Sequence, residues 1–335
     1  MSVPSRLPIV QAPMAGGPST PELAAAVSDA GGFGFVAAGY LSVDALRQAL
    51  HRTRALASAP IGANLFVPGS DDSDERAIND YARALVPESE RLGVPLGEPR
   101  WDDDAYRPKL ELLRRSGVHT VSFTFGCPEE DDVRALHNAG IQVAVTVTNS
   151  DEASLAAAAG ADALVVQGTE AGGHQGTFDG GMPNQTSLLE ALRGVRARVD
   201  LPLIAAGGIV SASDAAAALD AGASAVQIGT ALLCTPEAGT SAPHRQALLA
   251  RLFQDTIITR AFSGRWARGL ANRFALEHAD APPGYPHVHH LTRPLRTAAT
   301  KAGDPDVPNL WAGTGWRAIR AEPAAAVVAR IAAAC

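Results

Sequence analysis

One histidine stands in a stretch of the chain that is otherwise rich in small residues. The segment QGTEAGGHQG covers Gln167–Gly176, and its histidine, His174, has glycines nearby on both sides. Glycine lets a ligand come close to the backbone, while an imidazole can hold or move a proton near neutral pH. The segment therefore predicts a binding loop in which bare backbone meets one ligand and the ring of His174 meets another.

Two further glycine-containing stretches have the composition of a phosphate site. AAGGI carries Gly207 and Gly208, and QIGTA carries Gly229 and Thr230. Each begins in an apolar run that reads as a buried strand, the seventh and the eighth in the chain. In a barrel of parallel strands these two loops commonly hold phosphate, because backbone N–H groups converge there on the anion. The alternative is that both are tight strand-to-helix turns without a ligand.

The other strand ends suit a flat heterocycle. Asn64 and Gln167 end or nearly end the third and sixth predicted strands, and their amides can offer donors and acceptors to ring edges. The first strand leads into Pro13, Met14 and Ala15, which add backbone polar groups and an apolar contact. With a phosphate at the seventh and eighth loops, these residues fit a flavin mononucleotide (FMN).

Eight short apolar runs alternate with Ala/Leu-rich segments of helical spacing, so an α/β fold is expected. The runs are continuously apolar, as in strands buried on both faces. Eight such units favour a closed (β/α)8 TIM barrel, with an open doubly wound sheet as the alternative. The predicted strands are Ile9–Ala12, Gly34–Ala37, Ile61–Phe66, Thr120–Phe125, Val143–Val147, Ala163–Gln167, Leu203–Ala206 and Ala225–Ile228. The predicted helices are Pro21–Ala30, Val43–Ala57, Tyr106–Arg115, Glu129–Ala139, Asp151–Ala159, Ser187–Arg198 and Ser213–Ala221.

The regular alternation breaks in two places. The first break, 68–104, is acidic and proline-rich, with a helix predicted at about Glu75–Leu92. The second break, 236–311, contains the proline- and histidine-rich stretch Ala281–His290. We expect these two insertions to form a smaller cap domain beside the barrel mouth. The barrel itself is then expected from residues 1–67, 105–235 and 312–335.

Charge and cysteine content limit the classes of partner. The net charge of the 335-residue chain is −7, which argues against nucleic acid and anionic membranes. Three widely spaced cysteines, Cys127, Cys234 and Cys335, suggest neither a disulfide framework nor a zinc site. The N-terminal MSVPSRLPIV lacks the apolar core of a signal peptide, and no apolar run is long enough for a membrane span. A cytoplasmic location is therefore expected.

The histidine-rich segment PPGYPHVHH raises the possibility of a metal site. Its histidines are His287, His289 and His290, with His278 nearby. No Asp or Glu stands at ligand spacing, and the segment is rich in turn residues. We therefore expect a solvated or substrate-facing loop and no metal.

The motifs along the chain match a known family. QAPMAGG, ANLF, VSFTFG, DALVVQGTEAGGHQG, AAGGI, QIGTA and LWAGTG occur in this order. From about Pro8 to about Ala333 the chain resembles the FMN-dependent nitronate monooxygenases, formerly called 2-nitropropane dioxygenases, and it looks closest to the bacterial class. The EAGGH block is the most specific element, whereas AAGGI is shared by many phosphate-binding barrels.

The resemblance implies a TIM barrel with a small second domain and non-covalently bound FMN. It implies oxidation of alkyl nitronates, such as propionate 3-nitronate, by O₂ without a metal. The active-site histidine would be His174. Relatives often carry glutamine where this chain has Thr314, which puts a contact from that side chain in doubt. The implied flavin contacts are Pro13, Met14, Ala15, Asn64, Gln167, Gly172, Gly207, Gly208, Gln227, Gly229 and Thr230.

Two roles are open for His174 in such an enzyme. It is either a charged or hydrogen-bonding partner of the nitronate anion, or the base that removes the α-proton of a neutral nitroalkane. Phe66, Phe123 and Phe125 are candidates to line the substrate pocket, with ordinary barrel packing as the alternative.

Other functions also fit parts of the sequence. One is an NAD(P)H-dependent quinone or enoyl-thioester reductase of the same superfamily. Others are a flavin-free barrel acting on a phosphosugar and a flavin-binding protein without turnover. A dehydrogenase of the inosinate type is disfavoured, because residues 168–186 contain no cysteine nucleophile. The oligomeric state is not predicted by the sequence.

Overall fold

A computed structural model describes residues 4–333 and 335 of the chain. Its strands follow the apolar runs of the sequence closely, and the predicted strands agree with them to within one residue at each end. In chain order they are β1 (Ile9–Gln11), β2 (Gly34–Ala37), β3 (Ile61–Phe66), β4 (Thr120–Thr124), β5 (Gln142–Val147), β6 (Ala163–Gln167), β7 (Gly173–His174), β8 (Leu203–Ala206), β9 (Ala225–Ile228), β10 (Thr256–Thr259) and β11 (Ala267–Leu270).

Within the described residues, eight parallel strands form a TIM barrel. Their order is β1-β9-β8-β6-β5-β4-β3-β2. The ring closes where Val10 bridges Phe33, just before β2. The N–H of Phe33 donates to the carbonyl of Ile9 at 2.9 Å, and the N–H of Gln11 donates to the carbonyl of Phe33 at 2.9 Å. The closed barrel is therefore confirmed over the open sheet.

Most helices lie in the connections between strands, and several of them begin at side-chain caps. The Thr20 side chain accepts from the N–H of Leu23, and Pro21 holds the first helical position. Ser211 and Asp214 form a reciprocal capping box. In chain order the helices are α1 (Pro21–Asp29), α2 (Val43–Leu56), α3 (Glu75–Ala84), α4 (Val86–Leu92), α5 (Tyr106–Arg114), α6 (Glu130–His137), α7 (Ser150–Ala158), α8 (Leu188–Arg196), α9 (Ala212–Asp220), α10 (Ala242–Leu249), α11 (Arg273–Glu277), α12 (His287–Ala302) and α13 (Ala324–Ala332).

The inner face of the barrel changes from apolar to polar side chains towards the carboxyl ends of the strands. Its lower part is filled by apolar side chains such as Phe35, Val165 and Ile204. Because side chains alternate along a strand, the next inward positions fall at the carboxyl ends. Those positions hold polar residues, among them Asn64 and Gln167, which border a cavity. The barrel therefore presents its polar side chains at the end where sites form in this fold.

The two insertions share a second hydrophobic cluster. Ile78 and Tyr81 from the first insertion pack with Phe262, Phe274 and Leu291 from the second. We propose that the insertions act as one cap. The single helix predicted at about Glu75–Leu92 is wrong in detail, because the chain turns at Leu85 and forms α3 and α4. Pro87 follows within two residues and has no N–H to donate to the preceding turn.

The histidine-rich segment was predicted as a loop, which is wrong for its second half, because residues 287–290 begin a helix while residues 282–286 are not helical. The helix α12 begins at His287 and buries Val288, Leu291, Leu295 and Ala299 at helical spacing. This apolar stripe packs into the second cluster. No helix among the described residues is long and apolar enough to cross a membrane.

Candidate active site

A cavity of about 910 Å³ lies at the carboxyl ends of the barrel strands. Its walls come from the strand-end loops and from the second insertion. The residues predicted to touch a flavin or a substrate that border this cavity are Pro13, Met14, Ala15, Asn64, Phe66, Phe125, Gln167, Gly172, His174, Gly207, Gly208, Gln227, Gly229 and Thr230.

Phe123 does not border the cavity, so its prediction as a pocket residue is wrong. Its side chain is fully buried in the core outside the barrel wall. The rings of Phe123 and Tyr106 of α5 are 6.4 Å apart. On the same strand, Ser122 and Thr124 bond to the cavity residue Asn64. Strand alternation therefore turns Phe123 away from the site.

His174 is placed by a short strand that joins the barrel loop to the second insertion. β7 pairs antiparallel with β11, with His174 opposite Ala267. Gln167, at the end of β6, holds the same segment by hydrogen bonds, since its Nε2 donates to the His174 carbonyl at 3.2 Å. Its Oε1 accepts from the N–H of Gly176 at 2.7 Å. Gln167 therefore positions the loop as well as bordering the cavity.

The imidazole of His174 sits in a mostly aromatic setting. Its Nε2 lies 2.8 Å from Ser263 Oγ. The rings of Phe125, Tyr285 and Trp311 surround it at centroid distances of 5.7, 5.9 and 5.4 Å. Burial, with smaller contributions from two nearby arginines, lowers the pKa of His174 to about 3. The ring is therefore neutral at pH 7.

The glycine pair after β8 forms a concave backbone surface. Gly207 and Gly208 have φ of +120° and +73°, a region that other residues avoid. Neither N–H has a protein acceptor among the described residues. Thr230, in the loop after β9, contacts the loop that contains Gly313, since its Oγ1 accepts from the N–H of Gly313 at 2.9 Å. Free amides of this kind are what an anion such as phosphate requires.

Gly172 allows a second close approach of backbone. A Cβ at this position would lie 2.4 Å from the nitrogen of Gly313. The segment before His174 can therefore lie against the 312–315 loop only with glycine here. Thr314 is exposed, and its N–H donates to the carbonyl of Glu170 at 3.0 Å. Its backbone thus fastens the two loops together, while its side chain is not among those that border the cavity.

Asn64 keeps one acceptor for a ligand. Its Nδ2 lies within 3.2 Å of the Ser122 carbonyl, Ser122 Oγ and Thr124 Oγ1. Among the described residues, Oδ1 has no such partner. Because Asn64 borders the cavity, this oxygen is free to accept from an N–H of a bound ring.

His244 leaves a polar atom without a partner at the cavity wall. The residue is 6% exposed and borders the cavity. One side of its ring interacts with the Trp311 backbone, while its Nε2 is buried and makes no hydrogen bond within the described part of the chain. Burial lowers the pKa of His244 to about 4. A neutral ring here offers Nε2 to a bound hydroxyl or N–H.

Several cavity residues were not predicted from the sequence. The ring of Tyr40 stacks on His289 at 4.4 Å and 4°, and Tyr285 Oη donates to Tyr40 Oη at 3.3 Å. Tyr40 has φ of +66°, and its N–H donates to Asp104 Oδ1 at 3.0 Å. Its position three residues after the second predicted strand was a signal, since strand ends form the site in this fold. Ser263, Arg296 and Trp311 come from the second insertion and carried no such signal.

The clustered histidines of α12 point to different partners. His287 Nε2 lies 2.8 Å from Asp71 Oδ1, and His290 Nε2 lies 2.6 Å from Asp102 Oδ2. His289 instead stacks on Tyr40. Within residues 4–333 and 335 no group of three or more His, Cys, Asp or Glu side chains is arranged to hold a metal ion.

Comparison with known proteins gives matches over nearly the whole chain. Residues 4–333 match the family model described as nitronate monooxygenase. A nitronate monooxygenase of Pseudomonas aeruginosa is 42% identical, covering 95% of this chain and 93% of the relative. The structure of a nitroalkane oxidase from Streptomyces ansochromogenes is 48% identical, with a TM-score of 0.95 and coverage of 98% and 96%. FabK from Thermotoga maritima is 25% identical, with a TM-score of 0.74 and coverage of 98% and 92%.

Proposed function

Because the chain belongs to the nitronate monooxygenase family, we propose that this enzyme oxidises alkyl nitronates with FMN as cofactor and O₂ as electron acceptor. The observation that carries the proposal is the neutral ring of His174 at one wall of a cavity whose other wall offers free backbone amides. Propionate 3-nitronate represents the substrate class.

The residues of the cavity fit FMN. The unpaired amides of Gly207 and Gly208 suit its phosphate, and the free Oδ1 of Asn64 suits an N–H of its ring. The orphaned Nε2 of His244 calls for a donor from a bound molecule. The other contacts we propose are Pro13, Met14, Ala15, Gln167, Gly172, Gln227, Gly229 and Thr230. A bound flavin supplies the redox chemistry between the nitronate and O₂.

The state of His174 favours a nitronate over a neutral nitroalkane as substrate. A ring whose pKa is lowered to about 3 is a weak base, and general-base catalysis is most effective when the pKa lies near the working pH. A nitronate has already lost its α-proton, so no base is needed. We propose that His174 holds the substrate by a hydrogen bond, oriented by Ser263 at 2.8 Å.

The aromatic walls keep water from the reacting groups. Phe66 and Phe125 contact each other with ring centroids 4.6 Å apart, and both border the cavity. Phe125 has φ of +79°, a conformation that costs about 1–3 kcal/mol and is typical of functional sites. We propose that these two rings, with Tyr285 and Trp311, enclose the substrate beside His174.

One preparation tests the proposal against its alternatives. Its visible spectrum is recorded, O₂ uptake is measured with propionate 3-nitronate, and the flavin absorbance is followed after anaerobic addition of NADH. We expect a yellow protein, nitronate-dependent O₂ uptake and no rapid bleaching by NADH. Rapid bleaching without nitronate turnover would indicate a reductase, and a colourless preparation that binds no FMN would indicate a flavin-free barrel.

A further inference from the structure

All formally charged side chains that border the cavity, within the described chain, are basic. They are Arg293, Arg296 and Lys301, and all three belong to α12. No Asp or Glu of the described residues borders the cavity, although the whole chain carries a net charge of −7. A cleft lined by one sign of charge attracts ligands of the opposite sign. The wall formed by α12 therefore favours an anion.

The side chain of Arg296 is held in place by several hydrogen bonds. Its Nε donates to Thr292 Oγ1 at 3.1 Å, and one terminal nitrogen donates to Asn309 Oδ1 at 2.9 Å. The other terminal nitrogen donates to the His289 carbonyl at 2.9 Å and lies 3.4 Å from its Nδ1. These contacts use at most four of the five guanidinium N–H groups. At least one N–H remains for a ligand.

The guanidinium of Arg296 has only neutral partners. Within the described residues, no carboxylate lies within 4.0 Å of it, whereas Arg91, Arg273 and Arg330 all bond to acidic side chains. Burial lowers the pKa of Arg296 to about 10. A charge removed from water without a counter-ion is costly, and an anion bound in the cavity would offset that cost.

Contacts between aromatic rings link Arg296 to the side of the cavity that holds His174. Arg296 bonds to His289, whose ring is 6.4 Å from that of Tyr285. The Tyr285 ring is in turn 5.9 Å from His174. Gly207 and Gly208, which have the free amides, belong to the loop after β8, and the atoms nearest to a Cβ built on them come from residues 168–171 and Thr314. The location favours the substrate anion over the cofactor phosphate.

We propose that Arg296 supplies the positive charge that binds the nitronate anion, and that it makes the enzyme select nitronates over neutral nitroalkanes. The inference rests on the proposed function. Arg296 carries the charge and His174 gives a neutral hydrogen bond, so the two residues together fill the role of anion partner, which is one of the two roles that the sequence left open for His174.

The test compares Arg296→Met and Arg296→Lys with Arg193→Met, which removes an exposed arginine of α8. For propionate 3-nitronate we expect kcat/KM to fall about 100-fold in Arg296→Met, mainly through KM. Arg296→Lys is expected to retain part of the affinity, and added guanidinium ion to restore part of it in Arg296→Met. The FMN dissociation constant is expected to change less than about twofold, and Arg193→Met to behave as the parent protein.

An experiment on the unmodified holoenzyme keeps the inference testable if the variants fold poorly. Binding of nitrite, acetate and neutral acetamide is followed through the flavin spectrum, which requires no turnover. We expect both anions to bind to the unmodified holoenzyme at least 10-fold more tightly than acetamide; where Arg296→Met folds, it is expected to lose that preference. The preference can be present even if nitronates are not oxidised, which separates failure of the proposed function from failure of this inference.

Three results would overturn the inference. The first is an unchanged KM for the nitronate in a folded Arg296→Met protein. The second is an FMN dissociation constant that rises as much as the KM, which would assign Arg296 to the cofactor phosphate. Equal binding of acetate and acetamide by the holoenzyme would also contradict it.

Discussion

His174 Nε2 and Ser263 Oγ lie 2.8 Å apart, joining the loop after β6 to the second insertion. The serine is itself fixed, because its Oγ is 3.3 Å from the Arg265 carbonyl and 3.4 Å from the Arg265 nitrogen. It is 2% exposed. The orientation of the imidazole is therefore set by the insertion and not by the barrel loop alone.

Replacing Ser263 by alanine removes this restraint without changing the histidine. We expect Ser263→Ala to lower kcat about 10-fold, the scale of one lost hydrogen bond, and to leave the FMN dissociation constant unchanged. Ser224→Ala, at an exposed site, is the matched control. Steady-state O₂ uptake gives kcat, and flavin titration gives the FMN dissociation constant. An unaltered kcat in Ser263→Ala would show that the hydrogen bond to Ser263 is not needed to orient the His174 ring.

The pH dependence of turnover reports the charge on His174. Its pKa is lowered to about 3, so the ring stays neutral from pH 5 to pH 9 and takes up a proton only in strong acid. We expect log kcat/KM for a nitronate to show no His174-dependent inflection near pH 6.5, where an unperturbed histidine titrates. An inflection there that disappears in a histidine-to-glutamine variant at position 174 would contradict the neutral assignment.

His244 makes the stability of the fold depend on pH. Its folded-state pKa is lowered to about 4, while the unfolded chain binds the proton below about pH 6.5. Protons therefore favour the unfolded state, and stability falls as the pH drops from 7 towards 4. The loss at pH 5 is about 2 kcal/mol from this residue. Urea titration gives the free energy of unfolding at pH 7 and at pH 5. We expect the difference between these two free energies to be smaller by that amount in His244→Phe, but not in His51→Phe, which is an exposed control.

The glycine pair after β8 is open to a direct test. Gly208 has φ of +73°, and a Cβ there would lie 3.0 Å from Glu170 Cβ. We expect Gly208→Ala to raise the FMN dissociation constant at least about 10-fold, because the strained loop no longer presents its free amides. Gly194→Ala, in the exposed part of α8 with no atom within 4 Å of a Cβ, is the control. Equal FMN affinity in both variants would contradict the assignment of the FMN phosphate to this loop.

The sequence predicted the barrel because its signals are local. Continuous apolar runs, caps and terminal glycines fix strands and helices within a few residues, and parallel order then brings the strand ends together. This logic placed Asn64, Gln167, His174 and Gly208 around one cavity. The prediction of Phe123 as a pocket residue was wrong. Ser122 and Thr124 flank it on the same strand, and the alternation of side chains along a strand would have predicted that Phe123 points outwards.

The rest of the site depends on contacts between distant segments. β7 exists only because β11 pairs with it, and two residues of a glycine-rich loop carry no strand signal of their own. Arg296 lies on α12, a helix that was not predicted from the sequence. The role proposed for Arg296 rests on its neutral acceptors and on the cavity that it borders, and these partners are not adjacent in sequence.

The most direct test of the account is O₂ uptake with propionate 3-nitronate by the FMN-loaded protein and by its His174→Ala variant. We predict nitronate-dependent uptake by the parent protein and a loss of at least about 100-fold in the variant, with FMN still bound and no NADH oxidation by either. Normal turnover by His174→Ala, or NADH oxidation in place of nitronate oxidation by the parent protein, would contradict the account.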